Sequence, residues 1–133
     1  MHANMLNVNG QKMSKSLGNL VFVSTLLRDG VHPSAIRWAL MGHRYSQDLM
    51  WHESVLDDAR AEIERLHLNL ARMEVAPTEE VIAGIISSLS EDLDTPRVLQ
   101  IIRDWMDATE AGSTGGEAGE ISRALDTLLG ISL

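Results

Sequence analysis

The chain contains no cysteine, which excludes disulfides and any metal site built on thiolates, and which fits a reducing compartment. A metal would fall to histidines and carboxylates alone. Aromatic residues make up only 4% of the sequence, with one tyrosine and one phenylalanine among them, so a base-stacking surface has few members to draw on. Proline occurs only at positions 33, 77 and 96, and each reads as the start of a helix or the break before one. No apolar run approaches the roughly 20 residues that span a bilayer, and the N-terminus lacks the charged-then-apolar order of a secretory signal. A soluble, cytoplasmic protein with no membrane partner is the expectation.

What is present suffices for one buried core, or one core with an appendage: 133 residues at 44% hydrophobic content. The net charge of −8 is unevenly spread. Residues 1–74 carry eight Lys/Arg against eight Asp/Glu, whereas residues 75–133 carry three against eleven. Nucleic acid is gripped by clustered basic side chains that neutralise phosphate, and an acidic second half disfavours that grip.

The opening "MHANMLNVNGQ" alternates apolar and polar side chains and then reaches Asn9-Gly10, a strong hairpin-turn signal, so a strand is expected at about 4–8. Helical spacing takes over at Pro33, with Ile36, Ala39, Leu40 and His43 on one face. A longer helix carries Leu56, Ala59, Ile63, Leu66 and Leu70 as its apolar stripe, with Trp51 ahead of it as a staple onto Leu56. Ala76-Pro77-Thr78 breaks that helix and caps the next, whose inward residues are Val81, Ile82, Ile85, Ile86 and Leu89. Thr95-Pro96 repeats the device, with Thr95 as cap and Val98, Ile101, Ile102 and Trp105 facing inward as far as about Ala111. The four glycines of "GSTGGEAGE" suggest a mobile loop, after which Ile121, Leu125 and Leu128 face the core from a last helix. The fold class expected is mainly α: a bundle of about five helices behind a short strand and a lysine-bearing loop.

That loop is "KMSKS", residues 12–16. An isolated K-x-x-K is ordinarily a solvated turn. Here it follows a strand and a Gly turn and runs on as "LGN" into an apolar stretch, so Lys12 and Lys15 stand on a hinge anchored at both ends, an arrangement suited to gating. Lysine is a compact ammonium on a flexible stem, suited to oxygens whose negative charge grows during phosphoryl or nucleotidyl transfer. Ser14, Ser16 and the loop amides can donate hydrogen bonds to the same oxygens. The chemistry indicated is stabilisation of a triphosphate and its pyrophosphate leaving group.

The stretch "MHANMLNVNGQKMSKSLGN" resembles the second signature of class I aminoacyl-tRNA synthetases, in the cysteine-specific branch. "HPSAIRWALMGHRYSQDLMWHESVLDDARAEIERL" and "EDLDTPRVLQII" resemble later helices of the same enzymes, so the similarity spans nearly the whole chain. Two enzymes of that branch come into question: cysteinyl-tRNA synthetase, and the mycothiol-pathway ligase that joins cysteine to the amine of glucosaminyl-inositol. The ligase is favoured by the wording "LLRDGVHPSAIR", by the stop at "LDTLLGISL" and by the acidic second half, which also makes tRNA a poor partner.

The resemblance implies a two-step reaction: cysteine carboxylate attacks the α-phosphate of ATP, and an acceptor amine then takes the activated cysteinyl group. Lys15 would contact the phosphates and Lys12 would help bind pyrophosphate. Ser14 and Ser16 would supply hydrogen bonds and loop shape, and backbone groups near Leu6 would hold adenine. ATP bound with magnesium is the implied cofactor. Zinc is implied only in a missing N-terminal part, since neither a HIGH-like tetrapeptide nor the family's cysteine ligands occur in this sequence. The expectation is therefore the C-terminal third of a larger enzyme, inactive alone. Residues 1–45 would close the catalytic domain, and residues 46–133 would form a helical bundle like an anticodon-binding domain. Apolar surface left open by the missing part would favour a homodimer.

Other residues were weighed as sites. His2, His32, His43, His52 and His67 include no pair at the i, i+4 spacing of a helical zinc site, and read as structural or exposed. Glu91, Asp92 and Asp94 read as charges favouring the start of the following helix rather than as cation ligands. Trp38, Trp51 and Trp105 read as core or interface, and Met1, Met5, Met41 and Met50 as gap fillers. The rival of another class is a non-catalytic acidic helical module whose lysine loop is incidental.

Overall fold

The computed structural model describes residues 2–133, so Met1 and the role expected of it lie outside the described residues. Strand β1 (Leu6–Val8) turns at Asn9 and Gly10, which both take positive φ (50° and 79°). A two-residue hairpin loop of the right twist needs that conformation at both positions, and Asn-Gly supplies it cheaply. β2 (Gln11–Lys12) returns antiparallel, pairing Asn7 with Lys12 and Val8 with Gln11. β3 (Leu49–Trp51) then joins β1 in parallel, giving the order β2-β1-β3. The expected strand is therefore the middle of a small sheet whose third member the sequence reading missed.

Six helices occur among the described residues: α1 (Val23–Arg28), α2 (Pro33–Met41), α3 (Glu53–Leu70), α4 (Glu79–Ser90), α5 (Thr95–Glu110) and α6 (Ala118–Leu129). Five are those expected. α1 is additional, short and without a buried residue. None of the helices is long and apolar enough to cross a membrane.

The core collects the inward stripes of α2, α3, α4, α5 and α6, with Leu66, Ile85, Val98, Ile102, Met106, Ile121 and Leu125 wholly buried. Trp38, Trp51 and Trp105 are buried too, as expected, and Trp51 and Leu56 belong to the same cluster. Several positions differ from the spacing-based reading. α2 buries Ser34, Ala35, Ile36, Trp38 and Ala39, while Leu40 is 45% exposed. α4 leaves Ile86 exposed. At the end of α6 Leu129 and Ile131 go inward instead of Leu128, because Gly130 caps the helix in the left-handed conformation (φ 64°) and turns the chain back. The returning segment is tied down where the Ser34 hydroxyl donates to the Ser132 carbonyl at 3.1 Å.

Two caps are also corrected. Asp94, not Thr95, is the N-cap of α5: its carboxylate accepts from the Arg97 amide, while the Thr95 hydroxyl donates to the His43 carbonyl at 3.3 Å. Thr78 holds the N-cap position of α4, but its hydroxyl donates to Glu120 on α6 instead of capping. Nor is the glycine-rich segment before α6 a free tether. Gly116 forms a β-bridge with Val75, its amide donating to the Val75 carbonyl at 3.0 Å, and Gly119 and Glu120 already belong to the helix.

Candidate functional site

The lysine loop leaves the sheet at Lys12 and rejoins the half-buried chain at Asn19 and Leu20. Its entrance is fixed by the sheet, because the Met13 amide donates to the Leu6 carbonyl at 3.1 Å, one step beyond the hairpin ladder. Inside it, residues 15–18 form a turn closed by the Gly18 amide donating to the Lys15 carbonyl at 3.2 Å, with Gly18 itself left-handed (φ 64°). The Leu17 amide donates to Ser14 Oγ at 3.3 Å, and the Ser14 and Ser16 hydroxyls lie 3.2 Å apart. Both serine side chains therefore already take part in shaping the turn.

Lys12 and Lys15 are exposed. Among the described residues the ion pairs belong to Arg44, Arg60, Arg65 and Arg103, and neither lysine enters one. Their charge is not spent on an internal carboxylate. Leu6, the position expected to lie near adenine, sits half-buried on the central strand, with its carbonyl engaged by Met13. The structure thus brings Leu6, Lys12, Ser14, Lys15 and Ser16 together around one hairpin and the turn that follows it.

One contributor was missed. Asn19 accepts the Ser14 amide on Oδ1 at 2.9 Å and donates from Nδ2 to the Lys12 carbonyl at 3.2 Å. Its signal in the sequence was an isolated amide entering the apolar run "LVFV". Short polar side chains of this kind bond nearby backbone in preference to regular structure.

Behind the loop, the sheet is moored to the helices. The Asn4 amide donates to the Tyr45 carbonyl at 2.8 Å, and the Tyr45 hydroxyl donates to Asp92 at 2.5 Å. That bond, aided by burial and by the charge of Asp92, raises the Tyr45 phenol above its usual value. Arg44 pairs with Asp94 next to it. The acidic turn before α5 therefore takes three roles, as helix cap, arginine partner and tyrosine partner. The five histidines lie apart: His32 caps α2 through Nδ1, His43 is half-buried after α2, His52 lies 3.2 Å from Asn9, and His2 and His67 are exposed. No group of three or more His, Asp or Glu that could hold a metal ion occurs among the described residues.

A second network ties α3 to α5. Arg65 forms a two-pronged pair with Glu110 (2.8 and 2.7 Å), and Asn69 donates to the same carboxylate at 2.8 Å. The Arg65 and Asn69 donors hold the Glu110 carboxyl down at about 2, and the Glu110 and Asp107 carboxylates in turn push the Arg65 guanidinium further up. Arg103 of α5 likewise pairs with Glu62 of α3 at 2.8 Å.

The lysine pair on a sheet-anchored loop, followed by helices, can be set beside known proteins. Residues 1–61 match the family model described as tRNA synthetases class I (C) catalytic domain, a stretch holding the whole sheet, the loop, α1, α2 and the start of α3. Those 61 residues are thus similar to the catalytic domain of class I, cysteinyl-tRNA-synthetase-like proteins. Over its full length the chain is 43% identical to the L-cysteine:1D-myo-inositol 2-amino-2-deoxy-alpha-D-glucopyranoside ligase of Streptomyces avermitilis. It is 42% identical to the proteins of the same name from Streptomyces coelicolor and Nocardia farcinica. Each alignment covers 100% of this chain and 33% of the relative, so the chain spans about a third of the length of the curated relatives it matches.

Proposed function

We propose that this chain is the C-terminal third of an ATP-dependent ligase that activates cysteine as cysteinyl-adenylate and passes it to the amine of glucosaminyl-inositol in mycothiol synthesis. On this reading residues 1–45 complete the catalytic domain and residues 46–133 form the helical domain. A cysteine carboxylate oxygen attacks the α-phosphorus of ATP, and the bond to the bridging oxygen breaks. The departing pyrophosphate gathers the negative charge. Lys15 meets the phosphates and Lys12 the leaving group, each as a point charge that gains most when the oxygens are most negative. Ser14 and Ser16 hold the turn from which Lys15 projects, and adenine lies against the backbone near Leu6. In the second step the amine attacks the cysteinyl carbonyl, an amide forms, and AMP leaves.

The observation that carries this reading is the pair of exposed ammonium groups without internal partners, on a loop whose backbone is held by hydrogen bonds. The similarity along the whole chain to proteins named for these two substrates supports the choice of acceptor. The acidic second half supports it again, since it is poorly suited to tRNA phosphate.

The test is ATP–pyrophosphate exchange driven by cysteine. The full-length protein should exchange, and the 133-residue chain alone should be silent; robust exchange by the short chain would sink the fragment reading. Acceptor choice is read by offering glucosaminyl-inositol or tRNA to the adenylate-bearing enzyme. Transfer to tRNA alone would replace the ligase with the synthetase.

A further inference from the structure

We propose that Asn19 is a positioning residue for the lysine pair, a clasp whose side-chain amide sets where Lys12 and Lys15 leave the backbone. The proposal rests on the adenylate-forming reading above and adds a residue to it. A lysine ammonium hangs on a flexible stem, so its average position depends on how well its own Cα is held. Lys12 is held on its strand side by pairing with Asn7. On the loop side, the Lys12 carbonyl accepts from Asn19 Nδ2 at 3.2 Å, and the amide of Ser14, next to Lys15, donates to Asn19 Oδ1 at 2.9 Å. One side chain thereby fixes the peptide after one lysine and the peptide before the residue preceding the other.

The chemistry demands an amide. Asn and Gln offer a donor and an acceptor on the two adjacent terminal atoms of one planar amide, and Gln is a methylene longer. Aspartate could still accept from Ser14, but it has nothing to give the Lys12 carbonyl, and it would add a negative charge beside an incoming triphosphate. Alanine would leave both backbone groups to water and the loop to its turn alone. Misplacement of a positioned group by about 1 Å can cost on the order of a hundredfold in rate. A loss of about tenfold to a hundredfold in adenylate formation is therefore expected for Asn19→Ala.

The experiment is a mutant cycle on the full-length enzyme, read by cysteine-dependent ATP–pyrophosphate exchange, with thermal melting as a check on folding. Asn19→Ala should lower kcat for exchange about tenfold to a hundredfold, leave KM for cysteine within about twofold, and leave the melting temperature nearly unchanged. Because the clasp acts through the lysines, the same substitution in a Lys12→Ala/Lys15→Ala background should cost less than about twofold. Asn19→Asp, which keeps the acceptor, should fall as far as Asn19→Ala and serves as the test if the alanine variant folds poorly. Amide exchange gives a readout independent of catalysis: protection of the Ser14 amide should drop in Asn19→Ala and persist in Asn19→Asp. Two results overturn the proposal: normal exchange in Asn19→Ala where the lysine variants are impaired, or an equal loss with and without the lysines. If the lysine variants themselves exchange at the normal rate, the adenylate reading falls and the clasp falls with it, an outcome told apart by those variants alone.

Discussion

Replacing Gly116 with alanine tests whether the glycine-rich segment is a tether or a built part of the core. A Cβ at this position would stand 2.1 Å from the Ala76 carbonyl oxygen and 2.8 Å from Thr78 Cγ2, so something must move. The Ala76 peptide cannot retreat freely, because its amide donates to Thr109 Oγ1 at 3.0 Å and its carbonyl accepts from Trp105 Nε1 at 3.1 Å, both buried contacts. If the loop yields, the Gly116 amide bond to Val75 is lost, at a net cost of about 1 kcal/mol. If Ala76 yields, the indole N–H of Trp105 is left buried and unpartnered, which costs about 1–3 kcal/mol. The expected destabilisation is about 2–4 kcal/mol, since relief of the clash draws on both. Urea unfolding followed by tryptophan fluorescence measures it, with Gly112→Ala as the comparison. There φ is 93° and nothing lies within 4 Å of the added carbon, so only backbone strain of about 1–2 kcal/mol applies. A Gly116→Ala protein that loses less than about 0.5 kcal/mol, or less than Gly112→Ala, would show that the segment leaves the core cheaply and that the packing argument is wrong.

Three further outcomes are expected. In the full-length enzyme Lys15→Ala and Lys12→Ala should each weaken the transition state for adenylate formation by about 2–4 kcal/mol; unchanged pyrophosphate exchange in both would end the lysine account. Folding lowers the Glu110 carboxyl from an ordinary 4.5 to about 2, so the Arg65–Glu110 contribution is complete above the ordinary value and is lost as pH falls through the lower one. The gap in urea midpoint between the parent chain and Glu110→Gln should accordingly close on going from about pH 5 to about pH 2, and a gap independent of pH would refute the assignment. Leu125→Ala, at a fully buried position where α6 meets the core, should cost about 2–5 kcal/mol in the same unfolding assay; a loss under about 1 kcal/mol would mean that α6 is not packed as described.

How much of this was legible in the sequence depended on whether the deciding partner was near in the chain. The Asn9-Gly10 turn and the Pro33, Thr78 and Pro96 helix starts follow from backbone preferences of single residues, and they were read to within a residue or two. β3 was not read, because a strand of three residues carries no periodicity of its own, and its partner β1 lies more than forty residues upstream. Exchanging Leu128 for Leu129 and Ile131 on the buried face required knowing that Gly130 reverses the chain onto α2. α1 was passed over because it is six residues long and only Leu26 packs against the core, with Val23 and Leu27 exposed, so no one-sided stripe forms.

The same rule divides the site. Lys12 and Lys15 stand out in the sequence because their chemistry is in the residue type: an ammonium offers charge wherever the loop puts it. Asn19 was missed because a short amide is defined by what it touches, and those contacts exist only once the loop has closed. Sequence reading gave the serine hydroxyls both hydrogen bonds to the phosphates and the shape of the loop, and in the folded chain they bond to the turn and to each other. A phosphate oxygen must compete with those bonds, so the serines supply shape at least as much as they supply donors. On the proposed reading the burden of charge neutralisation then rests on the lysines, and the burden of aiming them on an asparagine with no charge at all.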